Sequence, residues 1–76
     1  MQKIIDILSI IRPETDFTSS NNFIEDGFLD SLDIVTLVSE LDKAFSISID
    51  GMDIVPENFK NTGAIEKLLQ KNGIQL

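Results

Sequence analysis

Apolar side chains recur at helical spacing in three stretches of this chain. The chain has no cysteine, so no disulfide can stabilise a different arrangement. A domain of 76 residues buries only a modest core, so regular helix packing is the solution that we expect. The hydrophobic content of 42% is enough for such a core and argues against a disordered acidic tail. The sequence therefore predicts one all-α domain over residues 1–76.

Three longer helices and one short helix are predicted from this spacing. Asp30 precedes the strongest of them and can cap the free amides of its first turn. Pro13 makes Arg12 the boundary of the first helix, and Pro56 suits the first turn of the short helix. The predicted helices cover residues 1–11, 31–45 and 56–60, and a last stretch that starts at residue 61 or 62 and ends before Gly73.

The segment from residue 14 to residue 29 shows no sustained period and contains a run of Thr, Ser and Asn that indicates a loop. Scattered apolar side chains are expected to pin this long loop to the core. In the second helix, Val35 is expected to widen the buried face. The pinning residues are Phe17, Phe23, Ile24, Phe28 and Leu29, and the helical core residues are Ile4, Ile5, Leu8, Ile11, Ile34, Leu37, Val38, Leu41, Phe45, Ile65, Leu68 and Leu69.

The formal net charge is −7, from thirteen Asp and Glu against six Lys and Arg. Such a surface repels phosphate backbones and anionic lipid, which argues against nucleic-acid partners and membrane insertion. It attracts partners that carry basic docking patches. Eight carboxylates and no Lys or Arg lie between Pro13 and Asp42. With no membrane-spanning apolar run and no signal peptide in the sequence, we expect an unprocessed, monomeric cytoplasmic domain.

The segment Gly27-Phe28-Leu29-Asp30-Ser31-Leu32-Asp33 lies where the long loop is predicted to become the second helix. Ser31 falls at the first helical position, beside amides that have no partner within the helix. A phosphate carried on its hydroxyl would lie at the favourable end of the helix dipole. Asp30 and Asp33 flank the serine and offer charge to a basic surface, and Leu32 can meet a partner. Taken alone, Asp-Ser-Leu also fits an ordinary helix cap.

The residue types that would make this serine a catalytic nucleophile are missing. The chain contains no His and no Cys, so Ser31 has no imidazole to activate it and no thiolate nucleophile exists. The four glycines form no phosphate-cradling loop. Asp30 and Asp33 lie one helical turn apart in a chain too small for a substrate cleft, which argues against a pair of glycosidase carboxylates. We therefore expect a protein that is not an enzyme.

Residues 22–33 also have the length of a calcium-binding loop, and they place Asp26, Gly27 and Asp33 at three of the expected positions. Ile24, however, occupies a ligand position, and Asp33 replaces the usual bidentate glutamate. An aliphatic ligand position argues against a dedicated site, so no metal ligand is predicted.

Over nearly its whole length the chain resembles the phosphopantetheine-dependent carrier family, which includes acyl, peptidyl and D-alanyl carrier proteins. The resemblance rests on Asp30-Ser31-Leu32, the apolar pattern through Leu41 to Phe45, the Ile47 and Ile49 segment, and the closing helix. It implies an acyl-carrier-like four-helix bundle of three longer helices and one short helix, with a long loop between helices 1 and 2. In the family, the serine of this motif receives covalent 4′-phosphopantetheine from coenzyme A, and that position here is Ser31.

The resemblance also implies partners and surfaces. A phosphopantetheinyl transferase would modify the serine, and an acyl- or aminoacyl-activating ligase would load the arm. Acyl-transferring or condensing enzymes with basic docking patches would receive the cargo. The family docks these enzymes on the helix that begins at the serine, near the short third helix. The implied docking residues are Asp30, Leu32, Asp33, Thr36 and Glu40, and the residues that would line a space for an acyl chain are Ile34, Val38, Leu41, Phe45, Ile65 and Leu69.

Three residues depart from the carriers of fatty acid biosynthesis. Leu29 stands where a small residue usually precedes the aspartate, and Thr36 and Lys43 stand where acids are common. The run from Gly27 to Leu32 and the run from Pro56 to Phe59 are more similar to stand-alone carriers of the D-alanyl or specialised-pathway kind. Fatty acyl, polyketide and aminoacyl cargo all stay open on the sequence. The alternative function is an acidic helical adaptor that is never modified and binds a basic partner.

Overall fold

The computed structural model describes residues 2–75 and contains three α-helices joined by irregular segments. The helices are α1 (Gln2–Ile11), α2 (Ser31–Phe45) and α3 (Thr62–Lys71). Short 3₁₀ turns lie between them at Phe17–Ser19, Gly51–Asp53 and Pro56–Phe59. No residue from 2 to 75 belongs to a strand. The all-α prediction is therefore confirmed.

The predicted boundaries of the longer helices agree with these elements, although Met1 lies outside the described residues. The helix α3 begins after Asn61, whose side-chain oxygen accepts a hydrogen bond from the Ala64 amide at 2.8 Å. It ends at Lys71, before Gly73. The predicted short helix is a 3₁₀ turn of four residues, Pro56–Phe59, which is too short for a ladder of i to i−4 hydrogen bonds.

The core lies between the three helices, and every buried side chain among residues 2–75 is hydrophobic. Irregular segments contribute to it as well as helices. This matters for a small chain without disulfides, because apolar burial must supply nearly all of its stability. The helices bury Ile4, Ile7, Leu8, Ile34, Leu37, Val38, Leu41, Ile65, Leu68 and Leu69, and the connecting segments bury Phe17, Phe23, Leu29, Ile49 and Phe59.

The connection between α1 and α2 is held by aromatic side chains rather than by secondary structure. Phe17 packs edge-to-face against Phe23 and Phe28, with ring centroids 5.1 Å and 6.0 Å away. The Phe23 amide donates a hydrogen bond to the Lys60 carbonyl at 2.6 Å, which ties the connection to the segment before α3. Leu29 is buried at its end. The prediction that apolar residues pin this loop to the core is confirmed.

Val35 is the exception in the predicted core. Its side chain is 63% exposed, so the prediction that it widens the buried face of α2 is wrong. The buried residues of α2 follow one stripe, and α1 and the 3₁₀ turn at Pro56–Phe59 pack against that side of the helix. At 3.6 residues per turn, Val35 projects beside Leu32 on the uncovered side, and Leu32 is 77% exposed.

Truncation of the central aromatic side chain of the loop tests how much the fold depends on it. Phe23 is 1% exposed, so Phe23→Ala removes a whole ring from a close-packed site. We expect the free energy of unfolding to fall by about 3–5 kcal/mol. Urea unfolding followed by the helical circular dichroism signal measures this loss.

Ile10→Ala is the matched control, because Ile10 is 68% exposed on α1. Its unfolding free energy should change by no more than about 0.5 kcal/mol. Equal effects of the two substitutions would contradict the conclusion that the aromatic cluster anchors the loop.

Candidate functional site

The start of α2 is closed by a reciprocal capping box between Asp30 and Asp33. The Asp33 amide donates to Asp30 Oδ1 at 2.9 Å, and the Asp30 amide donates to Asp33 Oδ2 at 3.1 Å. Two amides that the helix itself leaves without partners are satisfied in this way. The predicted cap by Asp30 is confirmed, and Asp33 adds a second capping hydrogen bond that was not predicted.

Arg12, which follows α1, ties that helix to the capping box. Its Nη2 and Nε atoms donate to Asp33 Oδ2 at 2.7 Å and 3.1 Å. The same guanidinium lies 3.7 Å from Asp30 Oδ2 and 3.9 Å from Glu14 Oε1. The Asp33 side chain is only 15% exposed, so this contact is shielded better than an ordinary surface ion pair.

Sequence reasoning identified Arg12 only as a helix boundary and missed this contact. The partners are 21 residues apart, and no local spacing rule joins them. A signal did exist in the composition. Arg12 is the one basic residue between Lys3 and Lys43, and it comes just before the acidic segment that begins at Glu14.

Ser31 is the first residue of α2, and its side chain is exposed. Its hydroxyl takes part in none of the hydrogen bonds among residues 2–75. The amides of Ser31 and Leu32 precede the first backbone bond of the helix, in which the Ile34 amide donates to the Asp30 carbonyl at 3.0 Å. Free amides at a helix start suit a phosphate oxygen, so this position fits a phosphodiester on the serine.

The predicted docking residues differ in how freely they face solvent. Asp30, Leu32 and Thr36 are exposed, and Thr36 Oγ1 donates to the Leu32 carbonyl at 3.1 Å within the helix. Glu40 is half-buried, with its carboxylate 3.7 Å from Lys43 Nζ. The carboxylate of the fifth residue, Asp33, is turned toward Arg12.

The six residues predicted to line an acyl space are part of the packed core. Leu41, Ile65 and Leu69 are fully buried, and Ile34 and Val38 are nearly so. The sixth residue, Phe45, is half-buried, and Lys3 Nζ lies 5.0 Å from the centre of its ring. Two surface grooves, one between the Pro56–Phe59 turn and α3 and one beside Met52, are lined by none of these six residues. Their role in holding an acyl chain stays a prediction.

The residues at the positions of a calcium-binding loop each form hydrogen bonds to different partners. The Asn22 side-chain oxygen accepts hydrogen bonds from the amides of Ile24 and Glu25 at 3.1 Å and 3.0 Å. Asp26 accepts a hydrogen bond from the Ser20 hydroxyl, and Asp33 binds Arg12. Within residues 2–75 there is no group of three or more His, Cys, Asp or Glu side chains arranged to hold a metal ion.

A protein-family model matches most of the chain, including the start of α2. The family model for the phosphopantetheine attachment site matches residues 1–69, which include Ser31 and all three helices up to Leu69. The chain belongs to the phosphopantetheine carrier family. No curated protein and no solved structure matches the chain significantly.

Membership of the phosphopantetheine carrier family identifies the cofactor. Members carry a covalently attached 4′-phosphopantetheine group, receive it from phosphopantetheinyl transferases, and are generally carriers without catalytic activity of their own. The group supplies a long flexible arm that ends in a thiol. None of the helices described here is long and apolar enough to cross a membrane.

The ion pair gives the carrier a specific pH dependence. The hydrogen bond from Arg12 lowers the pKa of Asp33 below its ordinary value of 3.8, and the capping bond from the Asp30 amide lowers it further. A lowered pKa stabilises the folded state fully above pH 3.8, and this contribution is lost as the pH falls through the folded-state value. We expect Asp33→Asn to lose about 1 kcal/mol at pH 7 and the gap from wild type to close at low pH.

Urea unfolding of both proteins between pH 7 and pH 2 measures that gap. Glu57→Gln is the control, because it removes an equal charge from a side chain that is 80% exposed. Its stability should follow the wild type over the whole range. A gap between Asp33→Asn and wild type that stayed constant down to pH 2 would contradict the ion-pair explanation.

Proposed function

We propose that this chain is an acyl carrier protein that holds acyl or aminoacyl groups as thioesters on a 4′-phosphopantetheine arm attached to Ser31, and delivers them to partner enzymes. The observation that carries the proposal is the match to the phosphopantetheine attachment family across residues 1–69. The exposed position of Ser31 at the first residue of α2 supports the choice of attachment residue.

The proposed modification transfers the phosphopantetheinyl group from the diphosphate of coenzyme A to the serine hydroxyl. The Ser31 hydroxyl oxygen forms a bond to the coenzyme A phosphorus that bears the pantetheine arm. The bond from that phosphorus to the adenosine bisphosphate portion breaks, and the hydroxyl proton is released. The chain has no His and no Cys to remove this proton, so the transferase must supply the base.

Modification can be tested directly by intact mass. The chain is incubated with coenzyme A and a phosphopantetheinyl transferase, and we expect a mass increase equal to one phosphopantetheine. Ser31→Ala should stay unmodified, because it lacks the acceptor oxygen. The matched control Ser39→Ala removes another exposed serine of α2 and should be modified as the wild type is.

An unchanged wild-type mass with several transferases, or modification of Ser31→Ala, would refute the proposed attachment. An unmodified chain that still bound a basic partner protein would favour the adaptor function. In that case Asp30→Asn and Asp33→Asn together should weaken binding in a salt-dependent way, whereas Ser31→Ala should not.

The proposed docking surface is the outward side of α2 beside Ser31, near the 3₁₀ turn at Pro56–Phe59. Leu32 and Val35 lie three residues apart there and are both largely exposed. Asp30, Thr36 and Glu40 complete the proposed surface. The intramolecular bond of Asp33 to Arg12 makes its part in docking indirect, through the shape of the helix start. An apolar centre with polar surroundings is the usual form of a protein interface.

Leu32→Ala tests this surface with the transferase as the partner. Truncation of a central apolar contact commonly costs more than about 1 kcal/mol of binding, which is about a fivefold effect. We expect kcat/KM for modification to fall at least about fivefold. The control Ile10→Ala truncates an exposed aliphatic side chain on α1 and should leave kcat/KM unchanged. Equal values for both variants would place the transferase elsewhere.

The remaining parts of the proposal concern cargo, enzymes and setting. An acyl- or aminoacyl-activating ligase loads the arm, and acyl-transferring or condensing enzymes receive the cargo. Candidate pathways are fatty acid biosynthesis, polyketide synthesis and D-alanine transfer. The proposal also places the protein in the cytoplasm, as a monomer with one carrier domain over residues 1–76. The intact mass of protein loaded by each class of ligase distinguishes these cargoes.

A further inference from the structure

Three carboxylates converge on one guanidinium beside the start of α2. Asp33 accepts two hydrogen bonds from Arg12, and the Asp30 and Glu14 carboxylates lie 3.7 Å and 3.9 Å from its nitrogens. The four groups together carry a formal charge of −2. Such an excess of negative charge in one place is unfavourable even before a phosphodiester is added.

No second basic residue lies close to Arg12 in the sequence to help offset the charge of these three carboxylates. Along the chain, Lys3 and Lys43 are the nearest basic residues to Arg12 on either side. Lys43 lies on α2 itself, but at a rise of about 1.5 Å per residue it is about 18 Å from Ser31 along the helix axis. Salt screens charges over about 8 Å at physiological ionic strength, so Lys43 has little effect on the helix start.

We propose that Arg12 is a positioning residue that keeps the first turn of α2 closed when a negatively charged phosphodiester is attached to Ser31. This inference rests on the proposed function, because it requires modification at that serine. Arg12 need not touch the phosphate. It acts by holding the carboxylate of Asp33, and thereby the capping box, against the added charge.

The physical reason is the distance between the charges. Ser31 follows Asp30 directly, and consecutive Cα atoms are about 3.8 Å apart. A phosphodiester on Ser31 would be carried by the residue that follows Asp30 and stands two residues before Asp33, so its charge would add to theirs in the first turn of α2. Repulsion would push these carboxylates away from the amides that they cap, and the two hydrogen bonds from Arg12 oppose that movement for Asp33.

A merely structural tie between α1 and α2 makes a different prediction. If Arg12 only joined the two helices, its removal would cost the unmodified and the modified protein the same stability. If it offsets the charge of the phosphodiester, its removal costs the modified protein more. The decisive quantity is therefore the change in melting temperature on modification, compared between variants.

The experiment compares wild type, Arg12→Gln, Arg12→Lys and Lys43→Gln, each unmodified and fully modified by a phosphopantetheinyl transferase. In Arg12→Gln, modification should lower the melting temperature by about 2–5 °C more than it does in wild type. Arg12→Lys keeps the charge but not the paired guanidinium donors, so in this difference it should lie between wild type and Arg12→Gln. Lys43→Gln removes an equal charge from the far end of α2 and should also behave like wild type.

Amide hydrogen exchange supplies a second readout at the residues concerned. In modified Arg12→Gln, exchange at the Asp30 and Asp33 amides should be faster than in the unmodified variant, because these amides form the capping box. Wild type should show no such increase.

Two outcomes would overturn the inference. One is an equal effect of modification in wild type and Arg12→Gln, and the other is an Arg12→Lys variant that behaves like Arg12→Gln. Intact mass separates these outcomes from a failure of the proposed function, since a wild type that is not modified at Ser31 refutes the attachment itself.

Discussion

The carboxylate of Asp33 joins three parts of the chain at a single oxygen atom. Asp33 Oδ2 accepts hydrogen bonds from the Asp30 amide and from two nitrogens of Arg12. It therefore sets where α2 begins, how α1 meets α2, and which way the helix start faces. Ser31 lies between the two residues of the capping box, so its position is a consequence of the same bonds.

The helices could be predicted because the information is local. Asp30 before an apolar stripe identifies the start of α2 and its cap within four residues of sequence. The position of Ser31 at the first residue of α2 could be predicted for the same reason. The contact between Arg12 and Asp33 could not be found in this way, since it depends on how two helices pack and spans 21 residues.

The error at Val35 has a related cause. Helical periodicity indicates which residues share a face, but not how wide a strip the neighbouring elements cover. In a domain of three helices, each helix is covered on one side only. Val35 lies just beyond that strip, whereas its neighbour Ile34 is 6% exposed. An apolar residue at the edge of a stripe therefore needs the packed structure to decide its environment.

The two exposed aliphatic side chains on α2 affect the kinetics of any partner that docks there. A net charge of −7 acts over distance and speeds the approach of a basic surface, and salt weakens this attraction. Leu32 and Val35 act only after contact, and their burial does not depend on ionic strength in the same way. Association with this carrier should therefore slow as salt rises, while the lifetime of the complex changes little.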